Sequence, residues 1–152
     1  KGITGWAYHL GLGAVSWKCR AQTITALSST EAELIAVDDE AREAQFLHKL
    51  LEDFGVHASD HLPATIHQDN QSTIKLIHSE SWNPRTKHVA LRYHHTGDLV
   101  NNGVLKISYL STDLMTADVL TKPLPSAAHR QHRSVLMGHT APPIAAQRQH
   151  QQ

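Results

Sequence analysis

Several carboxylates in this sequence stand where metal-binding or acid–base chemistry could take place. On a helical wheel at about 100° per residue, Glu33 falls near the centre of an apolar stripe and Glu31 falls on nearly the opposite side. A buried carboxylate is costly unless it is paired or binds a metal, so Glu33 calls for a partner. Glu31, near the predicted helix start, needs only capping and the helix dipole. Glu40 lies two turns further along the Glu33 face and is a competing candidate.

Two aspartates lie near predicted element boundaries. Asp69 ends a predicted strand, and open α/β sheets present ligands at such strand-to-helix junctions. The alternative is that Asp69 or Asn70 only caps the following helix. Asp118 lies in a short predicted helix, where a lone Asp is usually a solvated charge.

The elements that must position these carboxylates follow from β-former content, caps and glycine positions. β-Formers on both sides of Gly11-Leu12-Gly13 predict a hairpin. No Gly or Pro occurs between Ser28 and Gly55, which predicts one long helix of roughly 36 Å. The predicted elements are strands 3–10 and 14–19, helix 30–54, strand 63–69, helices 70–78 and 86–102, strand 104–109 and a last helical stretch from Thr112. This order predicts an α/β fold, with a mixed sheet covered by helices.

The long helix should pack on that sheet through one apolar stripe. Its apolar residues recur every three or four positions, as helical periodicity requires; they are Leu34, Val37, Ala41, Ala44, Leu47, Leu51 and Phe54. In the hairpin, Trp6 and Trp17 could stack on bases. Rings on facing strands are more often buried, so we expect both in the core.

Composition restricts the possible classes of protein. The 152 residues include 14 Lys and Arg and 14 Asp and Glu. The sequence therefore has no excess of basic residues that would indicate a polyanionic partner. Cys19 is the only cysteine, which excludes an internal disulfide. The sequence contains no run of about 18 apolar residues, the length needed to span a bilayer. We therefore expect an intracellular, cytoplasmic setting with no membrane partner. We expect one domain over residues 1–138 and a disordered Pro/Gln-biased tail over 139–152.

Six segments of the chain together carry a family resemblance. They are Gly13-Ala14-Val15-Ser16-Trp17-Lys18, Ala26-Leu27-Ser28-Ser29-Thr30-Glu31-Ala32-Glu33, Asp69-Asn70-Gln71-Ser72, Arg85-Thr86-Lys87-His88, Arg92-Tyr93-His94 and Ala117-Asp118-Val119-Leu120-Thr121-Lys122-Pro123-Leu124. In this order and spacing they resemble the ribonuclease H region of copia-type LTR retrotransposon Pol polyproteins. No single segment would suffice, but the set covers most of residues 2–138.

The resemblance implies a ribonuclease H-like fold and hydrolysis of the RNA strand of RNA:DNA hybrids. It implies a D-E-D-D carboxylate set that holds two Mg²⁺ ions, in which two metals activate water and stabilise the leaving oxygen. By motif, Glu33 would be the helix carboxylate, Asp69 the strand carboxylate and Asp118 the last one. The implied partners are the hybrid and the reverse transcriptase and integrase regions of a parent polyprotein, inside a virus-like particle.

One departure from the family concerns the first Asp, which lies on a strand just before the hairpin. Residues 1–30 contain no Asp or Glu, and the chain starts at Lys1 without an initiator Met. We therefore expect that the first, central strand of the sheet is missing. Its absence would expose the edges of its neighbours, and the chain by itself should be unstable and inactive.

Two other hypotheses come from different classes of protein. A non-catalytic module would bind the hybrid through Asn70, Gln71, Arg85 and Lys87, which could contact phosphates and 2′-hydroxyls. A zinc protein is suggested by the histidine pairs, but one Cys and no four-ligand spacing favour solvated side chains. Those histidines are His94, His95, His129 and His132.

Overall fold

In a computed structural model, the described residues form four strands and five helices in a mixed α/β fold. The structure describes residues 2–57, 62–79 and 87–142, with the side chains of 87–91 and 93 left out. The strands are β1 (Ile3–Leu10), β2 (Gly13–Ala21), β3 (Ala64–Gln68) and β4 (Leu105–Tyr109). The helices are α1 (Ser29–Asp53), α2 (Gln71–His78), α3 (Lys87–Asn101), α4 (Asp118–Thr121) and α5 (Ser126–Leu136), with a 3₁₀ turn at Thr112–Leu114.

The strands form two separate pairs. β1 and β2 are antiparallel, β3 and β4 are parallel, and the two pairs are not hydrogen-bonded to each other. The mixed α/β class is confirmed, and the described strands form two small sheets; the expected ribonuclease H-like sheet, which lacks its central strand, stays a prediction. Both β1 and β3 pack on α1. Among the described strands β1 pairs only with β2 and β3 only with β4, so β1 and β3 each have one unpaired edge.

The long helix α1 begins and ends as its sequence predicts. The Ser28 hydroxyl accepts a hydrogen bond from the Glu31 N–H, and the Glu31 carboxylate accepts one from the Leu27 N–H at 2.7 Å. These bonds satisfy donors that a helix start leaves free. After the last turn Gly55 takes a φ of +82°, which favours glycine. Glu31 is thus a capping residue, as expected.

The core lies where α1 meets β3, β4, α2 and α3. It contains Leu34, Val37, Ala41, Ala44, Ile66, Ile77, Leu99, Leu105 and Ile107. Four of the seven predicted stripe residues belong to it. Phe54 does not, because it follows the last turn of α1 and is 76% exposed.

The hairpin is attached to α1 by polar contacts as well as by burial. Trp6 is 4% exposed, and its Nε1 donates to Asp39 Oδ2 at 3.0 Å. Lys18 Nζ donates to the other oxygen of Asp39 at 2.8 Å. The core prediction is confirmed for Trp6 but wrong for Trp17, which is 63% exposed because its side of the strand faces away from α1.

The end of the chain differs from the single helical stretch predicted from Thr112. It is divided into the 3₁₀ turn, α4 and α5, and Pro123 and Pro125 separate the last two. Proline removes a backbone donor and opposes the helical conformation of the residue before it. Most of the predicted tail, residues 143–152, lies outside the described residues. The described helices include none long and apolar enough to cross a membrane.

Candidate carboxylate site

One cavity brings together the three carboxylates singled out from the sequence. It has a volume of about 690 Å³ and is lined by β1, α1, β3 and the segment that leads into α4. Glu33 enters it from α1, Asp69 from the end of β3 and Asp118 from the start of α4. These residues are distant in sequence, so the fold assembles the site.

Glu33 is half-buried and has one amide partner. Gln68 Nε2 donates a hydrogen bond to Glu33 Oε2 at 3.4 Å. Burial raises the pKa of Glu33, and the nearby charges of Asp69 and Asp118 raise it further. The Gln68 hydrogen bond and the charge of Lys122 act in the opposite direction. The carboxyl of Glu33 therefore interacts electrostatically with both of the other carboxylates.

Asp69 follows the last residue of β3, at the junction predicted from the sequence. Its Oδ2 accepts a hydrogen bond from Thr112 Oγ1 at 2.9 Å, so the turn after β4 helps to orient it. Capping of α2 is performed by its neighbour: Asn70 Oδ1 accepts from the N–H groups of Ser72 and Thr73. The side chain of Asp69 is therefore not the cap of α2.

Asp118 is buried, which corrects the expectation that it is a solvated charge. It is 9% exposed, because α4 packs against the hairpin. Lys122 Nζ contacts both carboxylate oxygens of Asp118 at 2.9 Å. Partial burial would lower the pKa of Lys122, but the hydrogen bond and charge of Asp118, with Asp69 and Glu33, raise it overall.

Two further residues of the site were missed from the sequence. Gln68 is 6% exposed, and its Oε1 accepts the Asn70 N–H at 2.9 Å while its amide reaches Glu33. Its signal was strand alternation, because Ile66 and Gln68 share the inward face of β3. Lys122 could have been found from its spacing of four residues after Asp118 on a helix.

Glu40, the competing candidate, also lines the cavity. Burial raises its pKa to about 8, and the charges of Asp39 and Glu33 contribute in the same direction. Glu40 is thus protonated more readily than an ordinary glutamate.

The residues predicted to contact nucleic acid are only partly described. Gln71 is exposed at the first turn of α2, and Asn70 uses its side-chain oxygen for the cap of that helix. Arg85 and the side chain of Lys87 lie outside the described residues. Their predicted role therefore stays a prediction.

The donor chemistry of the site suits Mg²⁺, which prefers carboxylate oxygens. Clustered carboxylates repel one another, and a divalent cation would relieve that repulsion. Yet in the described part of the chain no group of three or more His, Cys, Asp and Glu side chains is arranged to hold a metal ion. Lys122 takes the counter-ion position at Asp118, so a metal ion would have to replace it there.

These features describe a mixed α/β protein with a carboxylate cavity. Comparison with known proteins shows which proteins its sequence is related to. The chain is 36% identical over 125 residues to the retrovirus-related Pol polyprotein from transposon TNT 1-94 of Nicotiana tabacum, which covers 82% of this chain. In Arabidopsis thaliana, the corresponding polyproteins from transposons RE2 and RE1 are 36% and 32% identical over 82% and 91% of the chain.

The chain is thus homologous to a region of retrotransposon Pol polyproteins, as the resemblance predicted. It spans 9%, 8% and 9% of the length of these three relatives. No family model and no solved structure matches it. The ribonuclease H assignment and its hybrid substrate stay predictions.

Proposed function

We propose that this chain is the ribonuclease H-like region of a retrotransposon Pol polyprotein and belongs to a site that hydrolyses the RNA strand of RNA:DNA hybrids. The observation that carries the proposal is the meeting of Glu33, Asp69 and Asp118 in one cavity. Their charges are coupled, since Asp69 and Asp118 both raise the pKa of Glu33. Such coupling is typical of functional carboxylates.

The ribonuclease H motifs and the cavity support the same three metal ligands. Glu33, Asp69 and Asp118 would hold Mg²⁺, which in such sites activates a water molecule and stabilises the leaving oxygen. The protein's own groups orient these ligands: Gln68 holds Glu33, and Thr112 holds Asp69. Lys122 neutralises Asp118 while no metal is bound. Outer-sphere partners of this kind typically affect activity by about 10–100-fold.

The fourth carboxylate of the set would come from a strand between β1 and β3. Both strands line the carboxylate cavity and lack a pairing partner on that side among the described strands. Unpaired strand edges readily accept another strand. An Asp on such a strand would enter the cavity beside Glu33, and we expect the 152 residues alone to be inactive without it.

The experiment compares the 152-residue chain with a version that begins at the polyprotein residues encoded directly upstream of Lys1. Each is mixed with Mg²⁺ and a labelled RNA:DNA hybrid, duplex RNA or duplex DNA. Cleavage of the hybrid's RNA strand by the extended chain alone would support the proposal. Equal cleavage of all three duplexes, or none by a folded extended chain, would contradict it. Binding of the hybrid without cleavage would instead favour the non-catalytic module.

A further inference from the structure

The charges of this chain are segregated, although their sum is zero. Helix α1 carries eight of the fourteen carboxylates, whereas residues 119–152 contain none. The described part of that segment contains Lys122, Arg130 and Arg133 together with three histidines. A stretch of one sign is a local electrostatic feature that the net charge conceals.

Helix α5 presents two of these cations to solvent. His132 and Val135 form its buried side, each 4% exposed. Arg130 and Arg133 are exposed and three residues apart, so they are neighbours on another side of the helix. Arg130 donates to the Ser126 hydroxyl, and within the described residues neither arginine forms an ion pair. Most of their donors are therefore available to an anion.

The exposed indole of Trp17 lies on the side of the hairpin that α4 covers. Trp17 and Cys19 share one face of β2, because side chains alternate along a strand. Cys19 Sγ donates to the Leu120 carbonyl of α4 at 2.7 Å, which fixes that face. Helix α5 contacts both β2 and α4. The indole and the two arginines thus belong to elements packed on one another.

We propose that β2 and α5 form a nucleic-acid-binding face, in which Arg130 and Arg133 bind backbone phosphates and Trp17 packs against a base or sugar. Arginine is suited to bidentate phosphate contacts, and aromatic stacking on bases does not depend on sequence. The RNA:DNA hybrid as ligand rests on the proposed function. The face adjoins α4, whose first residue is Asp118, so a bound strand lies beside the carboxylate cavity.

The chemistry of the face favours nucleic acid over a protein partner. Trp and Arg are also enriched in protein interfaces, but interfaces with nucleic acid are more polar and much more positively charged. Asp118, the last carboxylate of the sequence, precedes this segment and is paired with Lys122, and no described Asp or Glu forms an ion pair with Arg130 or Arg133. The arginines of α5 therefore have no internal charge to neutralise in the described residues.

The test measures binding of a labelled RNA:DNA hybrid to the 152-residue chain by fluorescence anisotropy over a salt series in EDTA. The double variant R130Q/R133Q should weaken binding and reduce the slope of log K against log salt by about 2, because each arginine neutralises one phosphate. W17A should weaken binding about tenfold, as expected when one base no longer stacks on an aromatic ring. W17F and R130K/R133K should retain most of the binding, since they keep the ring and the charge.

A matched control is K49Q/K106Q, which removes the same charge from exposed lysines on α1 and β4. It should keep the wild-type slope apart from a small general decrease. Equal effects of the two double variants, or no hybrid binding at low salt, would overturn the proposal. Urea denaturation confirms that each variant is folded. Because EDTA removes the metal, this binding and the cleavage described above can succeed or fail independently.

Discussion

Lys122 Nζ lies 2.9 Å from a carboxylate oxygen of Asp118, one helical turn earlier, and forms an ion pair with that carboxylate. Asp118 is buried, and Asp69 and Glu33 contribute to the same field. The lysine is thus a built-in counter-ion for the carboxylate cavity. If the proposed Mg²⁺ binds to these carboxylates, it would compete with this ammonium group for Asp118.

Removal of that counter-ion should make the cavity bind Mg²⁺ more tightly. In Lys122→Gln the carboxylates lose their internal cation, so we expect the apparent Mg²⁺ affinity to rise several-fold and the metal-free protein to become less stable. Mg²⁺-dependent thermal shifts measure both effects. Lys75→Gln, an exposed lysine on α2, serves as the control. Weaker Mg²⁺ binding by Lys122→Gln than by the control would contradict the competition.

Glu40 should make the protein less stable as the pH rises. Its folded pKa of about 8 exceeds the ordinary value, so the folded state binds an extra proton between the two. The contribution of protonated Glu40 to the free energy of unfolding is fully present below the unfolded pKa of about 4.3. It is lost as the pH rises through 8, by at most about 1.4 kcal/mol per pH unit. Glu40→Gln should flatten this dependence in urea denaturation at pH 5, 7 and 9. The surface change Asp53→Asn should leave it unaltered; the same result for Glu40→Gln would refute the assignment.

Close packing of Gly5 against α4, the helix that begins at Asp118, should contribute to the stability of the protein. A Cβ at Gly5 would overlap the Thr121 methyl Cγ2. Overpacking of this kind costs about 1–3 kcal/mol, so Gly5→Ala should lower the free energy of unfolding by that amount. Thr121→Ser removes the methyl and should restore most of the stability in the double variant. Additive losses in this double-mutant cycle would show that the contact is absent.

Asp38 should be the most sensitive charged residue of the helix layer. It is fully buried and is contacted by Arg42, Arg92 and His95 at 3.2, 3.0 and 2.8 Å, which connects α1 to α3. Removal of one partner from a buried ionic group costs about 3–5 kcal/mol, and we expect that loss for Asp38→Asn in urea denaturation. Arg42→Gln should cost about 1 kcal/mol or less, because that side chain is 60% exposed. Equal losses would indicate that Asp38 does not connect the helices.

Local signals in the sequence were sufficient for most elements. The Ser28 cap, the positive φ of Gly55 and helical periodicity correctly bounded α1, and Gly11 correctly predicted the hairpin turn. The wheel placed Glu33 towards the core, and Glu33 is half-buried and lines the cavity. It was wrong for Glu31, which it placed on the opposite side but which is only 8% exposed at the capped helix start. The correctly predicted features depend on neighbours within a few residues, which a single sequence displays directly.

The errors concern contacts between distant parts of the chain. The burial of Asp118 depends on α4 packing over Gly5, more than a hundred residues earlier, and no local pattern reveals that. Trp17 was expected in the core because alternation does not say which side of a hairpin faces a helix.

Cleavage of the RNA strand of a hybrid by the upstream-extended chain carrying Asp69→Asn shows whether Asp69 is a ligand of a catalytic Mg²⁺ site. The control is Asp113→Asn, an exposed carboxylate in the turn that contains Thr112. If Asp69 belongs to a Mg²⁺ site with Glu33 and Asp118, its loss should reduce cleavage by more than about 100-fold, the upper effect of an outer-sphere partner alone, while Asp113→Asn retains it. Undiminished cleavage by folded Asp69→Asn would show that Asp69 does not belong to the catalytic site.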